Sequence, residues 1–148
     1  MKVHLRQIPA EGLHLEGEDD CIITDVTNED VQCAGPLSYS LDVGISEDSM
    51  WASGTLAQPV ELRCVACLES FVHTIEVPEF AVHQELSGPE LVDLTPAARE
   101  DVLLNLPAYP RCDRHGGRIC PVPTVQLRSD DKPEVRKPDW SALDKLDL

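Results

Sequence analysis

Residues 37–45 read Leu-Ser-Tyr-Ser-Leu-Asp-Val-Gly-Ile, and this stretch decides the fold class. Large apolar side chains alternate in it with small or polar ones, which predicts a strand that is buried on one face. A turn over residues 46–49 and a second apolar run over residues 51–56 follow directly. Together these three segments predict an antiparallel β-hairpin.

Further strands are predicted on both sides of this hairpin. Apolar residues alternate with polar ones, or form short runs, in residues 3–15, 60–64, 71–77 and 80–86. Residues 16–36 are acidic and end in Gly35-Pro36, which predicts a loop with at most one short element.

One helix is predicted after the strands. Thr95 suits its N-cap and Pro96 its first helical position, and the apolar stripe that follows stops before Pro107. We therefore predict an α+β fold, in which a curved, barrel-like antiparallel sheet carries one packed helix at about 95–106 and a cysteine-tethered irregular C-terminal segment.

The predicted domain organisation follows from the change in composition beyond this helix. The domain covers residues 1–120, a polar Pro-rich linker covers 121–139, and a short helix covers 140–148. Trp140 lies in this last segment, where we expect its apolar side chain either to dock on its own domain or to contact a partner.

Charge is distributed unevenly along the 148 residues. Residues 1–106 carry four basic and twenty acidic side chains, a net of −16, and residues 107–148 carry eight basic and seven acidic, a net of +1. A body this acidic repels a phosphate backbone and attracts a basic protein. No stretch has the pattern of a signal peptide or of a membrane-spanning helix, so we expect a cytoplasmic protein that has no membrane contact.

The cysteines indicate a metal site. Cys64-Val-Ala-Cys67 has the spacing of a zinc knuckle, and the glycine-containing loop between Cys112 and Cys120 can return both thiols to one point. We predict a structural zinc ion bound by Cys64, Cys67, Cys112 and Cys120, with His115 as a substitute ligand. Four unmetallated thiols are the alternative, and a redox-active Cys-x-x-Cys pair is a weaker one.

The remaining two cysteines are Cys21 and Cys33. Cysteines stay reduced in the cytoplasm, so metal ligands or buried thiols are expected there before disulfides. Neither residue has a cysteine partner nearby in the sequence, and we expect both to be small core residues.

Two segments of the chain resemble a known family. Cys64-Val-Ala-Cys-Leu-Glu-Ser-Phe71 resembles the Cys-x-x-Cys-Leu-Glu-x-Phe signature of the YceD family, and residues 98–107 resemble its Arg-Glu-Asp, Leu-x-Leu-Pro helix. Cys112, Cys120 and Pro121 follow at the family's spacing, and Trp140, Leu143 and Leu146 match its short C-terminal helix. The resemblance implies a role in accumulation of large-subunit ribosomal RNA, or in assembly of that subunit. It implies no reaction.

No catalytic constellation is evident, so we predict a binding protein with no small-molecule substrate. Its partner is expected to be a basic ribosomal protein or a precursor of the large subunit. The alternative is an RNA-binding module that contacts ribosomal RNA through the basic loop 111–118, where Arg111, Arg114 and Arg118 cluster.

Overall fold

The computed structural model describes residues 1–122. Most of the regular structure in this range is β-strand, with one α-helix and two short 3₁₀ turns at Leu5–Gln7 and Thr24–Val26. The elements are β1 (Lys2–His4), β2 (Leu13–Asp19), β3 (Val31–Cys33), β4 (Leu37–Ser46), β5 (Ser49–Arg63), β6 (Ser70–Glu85), β7 (Leu91–Asp93) and α1 (Thr95–Leu104).

The main sheet is antiparallel and is built around β5. Strand β6 pairs with one edge of β5 along almost its whole length. On the other edge, β4 pairs with β5 as far as Ala57, and β3 pairs with it from Val60 onward. Strand β2 then pairs with the outer edge of β4, so the strands lie in the order β2-β4-β5-β6. The predicted hairpin is confirmed, with Ser46 paired to Ser49.

Strands β5 and β6 are each longer than predicted. The predicted segments 51–56, 60–64, 71–77 and 80–86 stop on either side of Pro59 and Pro78, and prolines usually interrupt strands. Pro59 lies where β5 has passed the end of β4 and not yet reached β3, so its missing N–H costs little there. Pro78 lies in a β-bulge of β6, where Pro78 and Glu79 are opposite the single residue Thr55 of β5. Both prolines therefore occupy irregular points of long, continuous strands.

This bulge in β6 and the neighbouring Gly54 of β5 also contribute to the shape of the sheet. A β-carbon on Gly54 would lie 2.0 Å from the carbonyl oxygen of Ser40, so only glycine allows β4 and β5 to approach there. Bulges increase strand twist and bend the sheet. The result is a strongly curled antiparallel half-barrel, which confirms the predicted fold class.

One continuous core lies inside the curled sheet, and α1 packs on it. The helix buries Ala98 and Val102. The fully buried apolar side chains from the strands include Leu37, Leu41, Met50, Leu62, Ile75 and Phe80.

The two ends of α1 differ in detail from the prediction. The helix ends at Leu104 instead of residue 106, and its N-cap is Leu94 instead of Thr95, with no side-chain capping hydrogen bond. Just before the helix, Asp93 Oδ1 accepts a hydrogen bond of 3.0 Å from the Thr95 backbone N–H. The Thr95 hydroxyl accepts a hydrogen bond of 2.9 Å from the Met1 amino group instead of capping the helix.

The expectation for Cys21 and Cys33 was wrong, because the two residues form a disulfide bond. The side chain of Asn28 accepts hydrogen bonds from the backbone N–H groups of Asp30 and Val31, which turns the acidic segment back on itself. Strand β3 then runs along β5 and brings Cys33 to Cys21, with their α-carbons 6.2 Å apart. The segment that the sequence predicted to be an acidic loop is therefore closed by a disulfide bond.

Within residues 1–122, no helix is long and apolar enough to cross a bilayer. Most of the predicted linker at 121–139 and all of the predicted helix at 140–148, including Trp140, lie outside the described residues.

Candidate metal centre

Four thiols converge at one end of the half-barrel. The Sγ atoms of Cys64, Cys67, Cys112 and Cys120 all lie within 4.8 Å of one another. Cys64 Sγ lies 4.0 Å from Cys120 Sγ, and Cys67 Sγ lies 3.8 Å from Cys112 Sγ. Ligands about 2.3 Å from a tetrahedral metal are about 3.8 Å apart. The four predicted ligands are therefore brought together in an arrangement that can hold a metal ion.

The first two ligands lie in the tight turn between β5 and β6. The Cys64 backbone N–H donates to the Glu69 carbonyl, and the Leu68 N–H donates to the Cys64 carbonyl, both at 2.9 Å. Leu68 has a positive φ of 61°, which reverses the chain after Cys67. Because both flanking strands belong to the same ladder, the turn holds its two thiols in a fixed orientation.

The other two ligands come from an irregular segment that folds around its own carbonyl groups. The Cys112 carbonyl accepts hydrogen bonds from the N–H groups of Gly116, at 3.1 Å, and Arg118, at 3.3 Å. Gly117 has a φ of 65°, and a β-carbon on Gly116 would lie 2.8 Å from the Phe71 ring. The expectation that the two glycines allow the loop to return is therefore confirmed.

The two halves of the centre are also joined through the backbone. The Val65 N–H donates to the Pro110 carbonyl at 2.9 Å. Cys64, Cys112 and Cys120 are buried, and Cys67 is partly buried. Four protein thiols leave no open coordination position for water or substrate, so the centre has the composition of a structural metal site.

The thiols differ strongly in acidity. The backbone N–H of Cys67, helped by those of Cys112 and Ala66, lowers the pKa of Cys64 to about 6. At Cys120 the Val122 N–H acts in the same direction, but burial and the three neighbouring thiols outweigh it and raise the pKa to about 12. Cys64 therefore ionises readily, whereas ionisation of Cys120 is unfavourable. A bound cation would lower the pKa of Cys120 and make its ionisation favourable.

His115 lies outside the ligand set. Its Nδ1 accepts a hydrogen bond of 3.1 Å from the Arg111 backbone N–H, and its ring packs edge-on against His73 with centroids 5.4 Å apart. The group of potential ligands contains only the four cysteines. The hypothesis that His115 replaces a cysteine is therefore not supported by its position.

The predicted arginine cluster surrounds the centre, but two of its members are paired. Arg111 bonds Asp113 through two contacts of 3.0 and 3.1 Å, and Arg118 bonds Glu69 at 3.0 Å. Contact with the Cys112 side chain, together with the charge of Glu69, raises the pKa of Arg118. Arg114 is exposed on the same loop. The positive charge here is partly balanced by local carboxylates.

A serine, a histidine and an aspartate meet on the outer face of the sheet, which the sequence did not reveal. His14 Nδ1 lies 2.7 Å from Asp42 Oδ1, and His14 Nε2 lies 3.3 Å from Ser40 Oγ. Ser40 and Asp42 share one face of β4, but only the strand register places His14 of β2 between them.

This trio lacks the other parts of a nucleophilic site. The side chains of His14 and Asp42 are 55% and 65% exposed, and β4 lies between two strands whose ladders use its backbone N–H groups. Acyl transfer needs free N–H donors for the oxyanion in a water-excluded site. The arrangement therefore orients His14 but does not provide a catalytic centre.

A scan against protein-family models, a search of curated proteins and a search of solved structures each found no match for this chain. The resemblance to the YceD family therefore stays a prediction.

Proposed function

We propose that this protein is a zinc-stabilised, non-catalytic binding protein that acts in assembly of the large ribosomal subunit by holding a basic protein. The observation that carries the binding role is the unpaired acidic charge on the sheet, while the four-thiol centre supports the structural metal. The ribosomal context is supported by the sequence resemblance to the YceD family.

Zinc is the metal that best fits the four thiols. A tetrahedral set of four cysteine thiolates is typical of structural zinc, although iron is bound by the same ligand type. The cysteine-bearing segment after α1 has few buried apolar side chains of its own, since Ile119 and Tyr109 are 93% and 79% exposed. A metal bond to this segment therefore supplies the attachment that packing does not.

The same geometry argues against a redox role for the Cys64–Cys67 pair. Redox pairs of this spacing place the first cysteine at a helix N-terminus and leave it accessible. Here Cys64 is fully buried in a turn between two strands, and Cys120 lies beside it. Its low pKa is better explained as preparation for metal binding.

Glutamates without an ion pair on the sheet favour a basic partner. Glu16, Glu18 and Glu76 have no ion pair within the described part of the chain. Such a surface speeds association with a positively charged protein and repels nucleic acid. RNA contact through loop 111–118 is the less supported proposal, because Arg111 and Arg118 already have carboxylate partners.

Sedimentation of the tagged protein in its native lysate tests this function. At low salt we expect it to migrate with precursors of the large subunit, and at moderate salt to move toward the top of the gradient. Protein that stays at the top under both conditions would rule out stable particle binding. Elemental analysis of the purified protein tests the metal separately, and we expect one zinc ion per chain.

A further inference from the structure

A groove crosses the outer face of the sheet where β2, β4, β5 and β6 lie side by side. Its volume is about 660 Å³, which is in the size range of ligand pockets. Among its lining residues, Leu56 and Val77 are only 2% and 5% exposed and point into the core. The side chains that face the groove are therefore the alternate residues of each strand.

Register partners form a row across this groove from one side to the other. Glu18 of β2 pairs with Ser38 of β4, Ser38 pairs with Ala57 of β5, and Ala57 pairs with Glu76 of β6. The row thus has a carboxylate at each end and two small side chains in the middle. In the next row, Glu16 is paired with Ser40 in the same way. The groove has acidic rims and a floor of small side chains.

The carboxylates of the rims are spread out instead of gathered at one point. Within residues 1–122, only the four cysteines form a group of potential ligands close enough to hold a metal ion. The rim glutamates therefore do not form a compact group of three metal ligands. Their spacing suits several cations that are carried separately on one chain.

We propose that this groove binds an extended, lysine- and arginine-rich segment of the basic partner, an inference that rests on the proposed function. Glu16 and Glu18 are two positions apart on one strand, so their side chains project about 6.5–7 Å apart. Cationic side chains at alternate positions of an extended segment have the same spacing. The floor at Ser38 and Ala57 leaves room for the backbone of that segment, and Glu76 contacts cations on its other side.

Two variants of equal charge separate this groove from general electrostatic attraction. The groove variant is Glu16→Gln/Glu18→Gln/Glu76→Gln. The control variant is Glu47→Gln/Glu85→Gln/Glu100→Gln, which removes three exposed acids from other parts of the surface. Binding of a fluorescently labelled peptide of alternating lysine and serine is measured by anisotropy at low salt, after thermal unfolding has shown that both variants fold.

We expect the groove variant to bind the peptide about tenfold more weakly than the unmodified protein, and the control variant less than about threefold more weakly. A third variant, Ala57→Gln, narrows the floor without changing charge and should also weaken binding. Equal losses in both triple variants, with Ala57→Gln unchanged, would overturn the groove as the binding site.

Equal losses in the two triple variants would not contradict the proposed function, because a basic partner could still bind elsewhere on the acidic surface. Absence of peptide binding by the unmodified protein would also overturn the groove proposal. Co-sedimentation of the unmodified protein with large-subunit precursors would then decide independently whether the proposed function stands.

Discussion

Two groups of cysteines bring separate parts of this chain together, and they differ in chemistry. Cys21 and Cys33 are 12 residues apart and form a direct disulfide within one loop. The four cysteines of the metal centre remain thiols, and Cys64 and Cys120 are 56 residues apart. A disulfide joins two points of a backbone, whereas a tetrahedral metal joins four. The disulfide closes one short loop, whereas a metal held by the four thiols would attach an irregular segment to the ends of two strands.

The largest expected effect is loss of the metal centre. Cys112→Ser should abolish metal binding and remove most of the stability of the fold, because structural zinc contributes roughly 10–16 kcal/mol in small zinc-dependent domains. Metal content by native mass spectrometry and urea unfolding by circular dichroism measure the two effects. A variant that lacks metal but keeps the original unfolding midpoint would show that the four thiols are not a structural site.

Loss of the disulfide should have a smaller and separate effect. Cys21→Ser/Cys33→Ser removes a cross-link that closes a short loop, for which the expected loss is roughly 2–3 kcal/mol. Its metal content should equal that of the unmodified protein. Loss of metal from this double variant would contradict the view that the two groups of cysteines act independently.

The two groups of cysteines should also differ in how they respond to pH. Metal binding displaces thiol protons, so affinity should fall by about tenfold per pH unit for each proton displaced as the pH is lowered from 8 to 6. Cys120 supplies such a proton because its pKa is raised to about 12, whereas Cys64, with a pKa of about 6, is largely ionised at neutral pH. The disulfide does not titrate.

Cobalt(II) substitution measures this dependence through the thiolate-to-metal absorption band. We expect occupancy at a fixed cobalt concentration to decrease steadily toward acidic pH. Occupancy that is constant from pH 8 to pH 6 would mean that all four thiols are already ionised without metal.

The smallest expected effect comes from two arginines, one beside each cross-link. Arg118 lies against the Cys112 thiol, and Arg99 bonds Asp25 in the disulfide loop at 2.6 Å. Arg118→Gln should weaken metal affinity about threefold, while Arg99→Gln should leave it unchanged. Competition with a chromogenic chelator measures both. Equal effects of the two substitutions would show that Arg118 acts only through net charge.

Sequence patterns predicted the parts of the fold that depend on neighbouring residues. The alternation in residues 37–45 predicted β4, and the Cys64–Cys67 spacing predicted the knuckle, since both are local signals. The long strands β5 and β6 were missed because their prolines occupy irregular points that only the strand pairing reveals.

Contacts that depend on register were beyond prediction for the same reason. The disulfide forms because β3 pairs with β5, and the groove forms because Glu18, Ser38, Ala57 and Glu76 fall in one row. No short stretch of sequence contains either relation. The glycines between Cys112 and Cys120 predicted that this loop can bring the two thiols together. They did not predict where the loop packs against the Cys64–Cys67 knuckle.

The order of the metal ligands along the chain has a consequence for synthesis on the ribosome. Cys64 emerges 56 residues before Cys120, a delay of roughly 3–11 s at ordinary translation rates. The sheet from β2 to β6 can therefore pair while the knuckle offers a metal only two thiolates. At the proposed metal site, binding by all four ligands would have to wait for Cys120, so it would follow synthesis of the whole sheet and of α1.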